Sequence, residues 1–246
     1  MGDLKYRGII IKQANYGEGN RMLWIFTETD GIVKAVRYGV RGKKSANAAA
    51  FQLFSYADFT LRESNSEIMT ASGADVIDSF YPISEDIKKL ALCVYLADIA
   101  YGMLGERNPD TRILSLLLNA VYALSSRNEP LFKVKCAYEI KLICAGGYMP
   151  NLSGCAICGR EGGYFSAQKG CLVCREHHTA DDIKISQAAA AVMNYLISCE
   201  DKKMLSFSAK DETVFDEVSR ISEKYISVQC DRVSSALSYF YSIIGT

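Results

Sequence analysis

Histidine is almost missing from this chain: two residues in 246, adjacent at His177 and His178. A Ser/His or Cys/His catalytic pair would therefore have to be built at that one point. No Gly-x-x-x-x-Gly-Lys-Ser/Thr loop is present, which argues against ATP use. No His-x-Glu precedes a Cys-x-x-Cys pair, so the signature of a zinc deaminase is absent. After Gly17-Glu-Gly19 the third glycine of a dinucleotide loop is replaced by Met22, and that stretch reads as a hairpin turn. The carboxylates are dispersed over what should be solvated helix faces. The expectation is a protein that is not an enzyme.

Long apolar runs are missing too. None approaches the eighteen or so residues of a membrane span, and the N-terminus, with Asp3, Lys5 and Arg7, has no apolar core of a signal peptide. The Asn151-Leu-Ser153 sequon is then idle. Net charge is absent, 28 basic residues balancing 28 acidic ones. Cysteines are odd in number, nine, and Cys93, Cys136, Cys144, Cys199 and Cys230 fall in apolar helical patterns where a thiol acts as a small hydrophobe. Such usage suits a reducing compartment, so a cytoplasmic protein is expected.

What is present begins with residues 150–178. Cys155-Ala-Ile-Cys158 and Cys171-Leu-Val-Cys174 are two Cys-x-x-Cys pairs separated by twelve residues. Two such pairs on glycine-rich turns supply four thiolates to a tetrahedral Zn²⁺. Four protein ligands leave no open position, so the metal is expected to be structural. Its binding free energy, roughly 10–16 kcal/mol in isolated fingers, would act as folding free energy for this segment. His177 or His178 could replace Cys174 as the fourth ligand.

The rest of the chain, 49% hydrophobic, divides by period. Residues 1–80 read as β: Ile9–Ile11, Met22–Thr27, Ile32–Tyr38 after an Asp30-Gly31 turn, 55–62 and 67–78. Val33, Ala35 and Arg37 alternate with Ile32, Lys34, Val36 and Tyr38. Five short strands, interrupted after the third, fit a small partly open barrel of the OB type. Residues 81–246 change to helical period. Ser84 is the expected cap of a helix with a stripe through Ile87, Leu90, Ala91, Val94, Tyr95 and Asp98. Asn108-Pro109 is expected to cap a second helix and Pro130 to open a third, with three more after the cysteine stretch. The predicted class is α+β: an N-terminal OB-type barrel, then an all-α domain carrying an inserted Cys₄ zinc knuckle.

The balanced total hides an asymmetry. Residues 34–44 hold five basic residues and no acid, and a local patch sets the potential that a phosphate backbone feels. Arg21, Lys34, Arg37, Arg41, Lys43 and Lys44 are the candidate phosphate contacts. Tyr16, Trp24 and Tyr38 are candidate rings for base stacking.

Several stretches are similar to one family. Tyr16-Gly-Glu-Gly-Asn-Arg-Met-Leu-Trp-Ile-Phe-Thr-Glu-Thr-Asp-Gly31 resembles the opening hairpin of RecO, a bacterial recombination mediator. Val36-Arg-Tyr-Gly-Val-Arg-Gly-Lys-Lys-Ser45 resembles its basic segment. Gly147-Tyr148-Met-Pro150, the Cys155/Cys158 pair, Tyr164-Phe165-Ser166 and Gly170-Cys171 with Cys174 resemble its zinc-bearing branch. Lys169 departs from it, since the family commonly has two glycines before its third cysteine.

The resemblance implies binding of single- and double-stranded DNA and annealing of complementary strands. It also implies action with RecR to help RecA displace single-strand-binding protein, SSB. The SSB tail is acidic and ends in an aromatic, and Lys133, Lys135 and Lys141 are candidate rim residues for it. Two other readings fit the same pattern: a zinc-knuckle protein-interaction module, or an RNA-binding OB protein.

Overall fold

The computed structural model describes residues 2–39, 48–64, 67–127, 129–230 and 234–245. One compact unit spans Met1–Arg127 with Ala236–Thr246, and a second spans Asn128–Ser235.

The first unit opens with β1 (Asp3–Tyr16), β2 (Asn20–Thr27), β3 (Gly31–Arg37), β4 (Tyr56–Arg62) and β5 (Met69–Asp78). They form a closed barrel in the order β1-β2-β3-β5-β4, in place of the partly open one expected. Closure follows from the length of β1. A register break between Ile10 and Lys12 bends it, so its first half pairs with β4 and its second with β2. A short parallel ladder joins β3 to β5. Leu23, Ile25, Val33, Ala35, Phe59 and Leu61 point inward to one apolar core, which confirms the alternation expected for Val33 and Ala35.

Next come α1 (Pro82–Glu85), α2 (Ile87–Leu104) and α3 (Thr111–Tyr122). The caps differ from expectation by two residues. Ser84 lies inside α1, and the Asp86 carboxylate accepts the N–H groups of Lys88 and Lys89 at the start of α2. Asp110, not Asn108, caps α3. The buried face of α2 runs through Ala91, Leu92, Tyr95, Leu96 and Ala100, while Ile87 is exposed. The loop after α2 lies against the β2–β3 turn. Gly31 has φ +63°, and a Cβ there would stand 2.5 Å from the Asn108 backbone, so only glycine fits.

The second unit is built on α4 (Leu131–Ala145), in which every residue from Val134 to Cys144 is buried. A four-stranded ribbon follows, β6 (Asn151–Cys155), β7 (Tyr164–Ser166), β8 (Cys171–Val173) and β9 (Ile183–Lys184), in the order β6-β8-β7-β9. α5 (Gln187–Ser198) and α6 (Thr213–Gln229) pack on α4. α6 also holds the ribbon. The Tyr225 hydroxyl donates to the Tyr148 carbonyl at 3.0 Å, and the Gln229 amide donates to Ala167 at 3.1 Å. A Cβ at Gly170 would collide with the Tyr225 hydroxyl. The last helix, α7 (Ser235–Ile244), falls almost wholly in the first unit. Among the described residues no helix is long and apolar enough to cross a membrane.

Candidate metal centre and nucleic-acid interface

Two tight turns face each other at one end of the ribbon. In the first, the Gly159 N–H donates to the Cys155 carbonyl at 2.8 Å. In the second, the His177 N–H donates to the Cys174 carbonyl at 3.0 Å. Arg160 and Glu176 pair across the turns at 2.8 Å. The turns bring Cys155, Cys158, Cys174 and His177 together, with all four ligand atoms within 4.8 Å of one another. The Cys158 and Cys174 sulfurs are 3.7 Å apart, and His177 Nδ1 is 3.6 Å from Cys155 Sγ and 3.3 Å from Cys174 Sγ. Tetrahedral zinc with ordinary bond lengths would set S···S at ~3.8 Å and S···N at ~3.6 Å. The donor set and its dimensions fit a tetrahedral metal ion.

The structure groups these residues differently from the four-cysteine expectation. Cys171 is outside the group of four, 6% exposed, on β8. Cys171 lies on the extended stretch 171–173, whereas Cys174 opens the turn that follows it and carries its sulfur into the group of four. In this grouping Cys174-x-x-His177 forms the second turn, and His177 takes the place expected for Cys171. Cys171 is buried beside the group, in one cluster with Cys155, Val173, Cys174 and Tyr164, and burial pushes its thiol up. His178 is also outside the group. Its ring stacks on Tyr164 at 4.0 Å, and its Nδ1 is 2.9 Å from the Arg175 carbonyl.

The turns act on the two thiols of the first pair in opposite directions. Burial raises Cys155, but the backbone N–H groups of Cys158, Ile157 and Cys174, with the His177 ring, outweigh it and bring this thiol down to about 5. At Cys158 the Arg160 N–H favours thiolate, but burial and the Cys155 and Cys174 sulfurs override it and push the group up.

The outer face of β1, β2 and β3 presents its side chains in cross-strand rows. Lys12, Trp24 and Lys34 oppose one another in one row, Ala14, Met22 and Val36 in the next. Lys12 sits over the Trp24 ring at 5.0 Å, a contact the sequence reading missed. Lys34 is tied up: Glu106, in the loop after α2, pairs with it at 2.6 Å and also accepts the Tyr101 hydroxyl at 2.7 Å. The Lys34 hydrogen bond, then the Tyr101 one, holds the Glu106 carboxyl below its ordinary range.

Arg21 and Arg37 oppose each other on the other face, at the barrel end. Arg21 donates to the Gln13 side chain at 3.1 Å. Arg37 donates to the Ala71 and Ser72 carbonyls and lies over Phe51 at 4.6 Å. Neither has an ion-pair partner among the described residues. Arg41, Lys43 and Lys44 lie outside the described residues.

The helical lysines are a correction. Lys135 is 0% exposed, with Glu139 at 2.7 Å and Glu223 at 2.5 Å. Lys141, 1% exposed, donates to the Cys199 carbonyl at the end of α5 and pairs with Asp201 at 3.3 Å. Neither ammonium can rim a pocket for a partner. Lys133 is partly buried, paired with Glu129 at 2.8 Å and placed over the Phe207 ring.

Comparison with known proteins bears on this geometry. A family model described as recombination protein O, N terminal, matches residues 1–80, and one described as recombination protein O, C terminal, matches residues 84–235. The chain belongs to the RecO family. A DNA repair protein RecO of Acetivibrio thermocellus is 32% identical over 99% of this chain and 98% of its own length. Those of Alkaliphilus metalliredigens and Clostridium novyi are 30% and 26% identical, covering 94% and 98% of this chain and 95% and 96% of their own. The OB-like barrel, the helical part and the ligand cluster thus belong to a DNA repair and recombination protein of the RecO family.

Proposed function

We propose that this chain is a DNA-binding recombination mediator. It binds single- and double-stranded DNA through the barrel, anneals complementary strands and, with RecR, helps RecA replace SSB on single strands. The observation that carries the reading is the Arg21–Arg37 pair. Like charges directly opposite on a sheet are unfavourable, and no carboxylate offsets these two among the described residues. A phosphodiester between them would supply the missing anion. Arg41, Lys43 and Lys44 follow in sequence and are proposed as further phosphate contacts. Lys34 contributes only when Glu106 releases it.

Annealing needs two like-charged strands brought together, and a small cationic patch screens them without fixing their bases. No covalent bond changes in that process, so the chain acts stoichiometrically and not as an enzyme. The DNA partner places it at the nucleoid, in the cytoplasm. Zn²⁺ is the proposed ion at Cys155, Cys158, Cys174 and His177. It leaves no open position and supplies fold stability, not chemistry. The SSB tail is not assigned to Lys135 or Lys141.

Fluorescence anisotropy with a labelled single-stranded oligonucleotide tests the reading. Each phosphate contact contributes about −0.7 to the log–log salt slope on single strands. Arg21→Gln should weaken binding and flatten the slope by about that amount. Equal affinity and slope would move the interface away from the barrel end. Tighter binding of RNA than of the same DNA sequence would favour the RNA reading.

A further inference from the structure

The ribbon and α5 enclose a groove of about 360 Å³, wholly inside the second unit. One wall is a single face of α5, made by Gln187, Ala190, Ala191 and Asn194 at the spacing that lines side chains up along a helix. The two alanines leave the helix backbone nearly bare between two carboxamides. Seven residues of helical rise put those carboxamides ~10.5 Å apart along the axis. That is the length of about three residues of extended chain. The Asn194 side chain is exposed and has no hydrogen-bond partner among the described residues. The Gln187 amide donates across the groove to the Glu161 carboxylate at 3.3 Å.

The facing wall belongs to β6, an edge strand of the ribbon. Its register with β8 holds only at Asn151 and Cys155, so Leu152, Ser153 and Gly154 bulge out of the ladder and border the groove. Between the walls the buried surface is apolar, formed by Leu172 and Ile185. The lining holds one carboxylate, Glu161, and no basic side chain. A second carboxylate, Glu217, accepts the Ser186 N–H at 2.6 Å and the Ser186 hydroxyl at 2.7 Å at the same end.

We infer that this groove docks an extended, basic segment of a partner protein. One aliphatic side chain of the segment lies on Leu172 and Ile185, and a Lys or Arg beside it meets Glu161. A carboxamide both donates and accepts, so Gln187 and Asn194 can each pair with a peptide group of the incoming chain. The bulged edge of β6 offers main chain on the other side, as in recognition by strand addition. The acidic lining suits neither a nucleic acid nor an acidic tail, so the inference is independent of the DNA-binding reading.

Selection of random heptapeptides displayed on phage against the full chain tests this, followed by fluorescence anisotropy of the enriched peptides. Those peptides should carry Lys or Arg close to a Leu, Ile or Val. Ala191→Trp fills the groove from an exposed position of α5 and should abolish their binding. Glu161→Lys removes a charge-assisted hydrogen bond and should weaken it about tenfold or more. Selection repeated on the Glu161→Lys chain should return acidic peptides instead, a switch that loss of structure would not produce. No enriched peptide, an acidic consensus on the wild-type chain, or affinity untouched by Glu161→Lys would overturn the site. Glu161 is exposed, so its reversal decides the matter even if the tryptophan variant fails to fold.

Discussion

Replacing Cys171 and His177 in turn separates the four-cysteine set expected from the sequence from the set that the structure groups. The geometry groups His177 with Cys155, Cys158 and Cys174 and leaves Cys171 behind. His177→Ala removes one of four donors and should lower metal affinity by at least ~100-fold, a loss of about 2.7 kcal/mol in binding free energy. Because binding of a structural ion acts as folding free energy, the melting temperature should fall with it. Cys171→Ser leaves all four donors of the group in place and puts a hydroxyl into the buried cluster of Cys155, Val173, Cys174 and Tyr164. That costs about 1–3 kcal/mol, roughly 2–12 °C in melting temperature for a chain of this size. Metal content of the purified protein, by atomic emission, is the assay. Expected are one metal per chain for wild type and Cys171→Ser, and a large deficit for His177→Ala. A deficit in Cys171→Ser with full metal in His177→Ala would refute the Cys155, Cys158, Cys174 and His177 ligand set.

Other expectations concern charge. Lys135→Met leaves the Glu139 carboxylate buried without its cation, which should destabilise the chain by about 3–5 kcal/mol. Adding Glu139→Gln should recover part of that loss in chemical denaturation; strict additivity would show that the pair is not coupled. Glu106→Gln frees Lys34 and should tighten single-strand binding and steepen its salt slope by about 0.7; an unchanged slope would mean that Lys34 does not reach DNA. The same pair has a pH signature. The Glu106 carboxyl is held down, so its contribution is present above the ordinary carboxylate pKa and is lost as pH falls through the lowered value. The acid-side stability difference between wild type and Glu106→Gln should close below that point, as acid titration of unfolding would show. Charge reversal at Arg41, Lys43 and Lys44 together should weaken DNA binding with little change in melting temperature.

Much of the fold was legible because the strand period is local. Val33 and Ala35 point inward for the reason their alternation gives, and the turn at Asp30-Gly31 sets the β2–β3 register. The metal ligands were half legible. Cys-x-x-Cys spacing satisfies a knuckle only where the backbone turns, and residues 171–173 are extended. The signal available was that His177 stands three residues after Cys174, matching the first knuckle. The lysines of α4 were not legible at all. A lysine on a helix reads as solvated until its partners are known, and Glu223 lies 88 positions from Lys135. The ion pair of Lys34 was hidden for the same reason, since Glu106 lies 72 positions further along the chain (106 − 34).

The central claim is that the barrel end pairs DNA strands by screening their charge. Annealing of two complementary oligonucleotides, followed by fluorescence quenching at several salt concentrations, tests it most directly. The wild-type chain should accelerate annealing without any nucleotide cofactor, the effect should fade as salt rises, and Arg21→Gln with the Arg41, Lys43 and Lys44 reversals should abolish it. Acceleration that persists undiminished in that variant, or none with the wild-type chain at low salt, would contradict the claim.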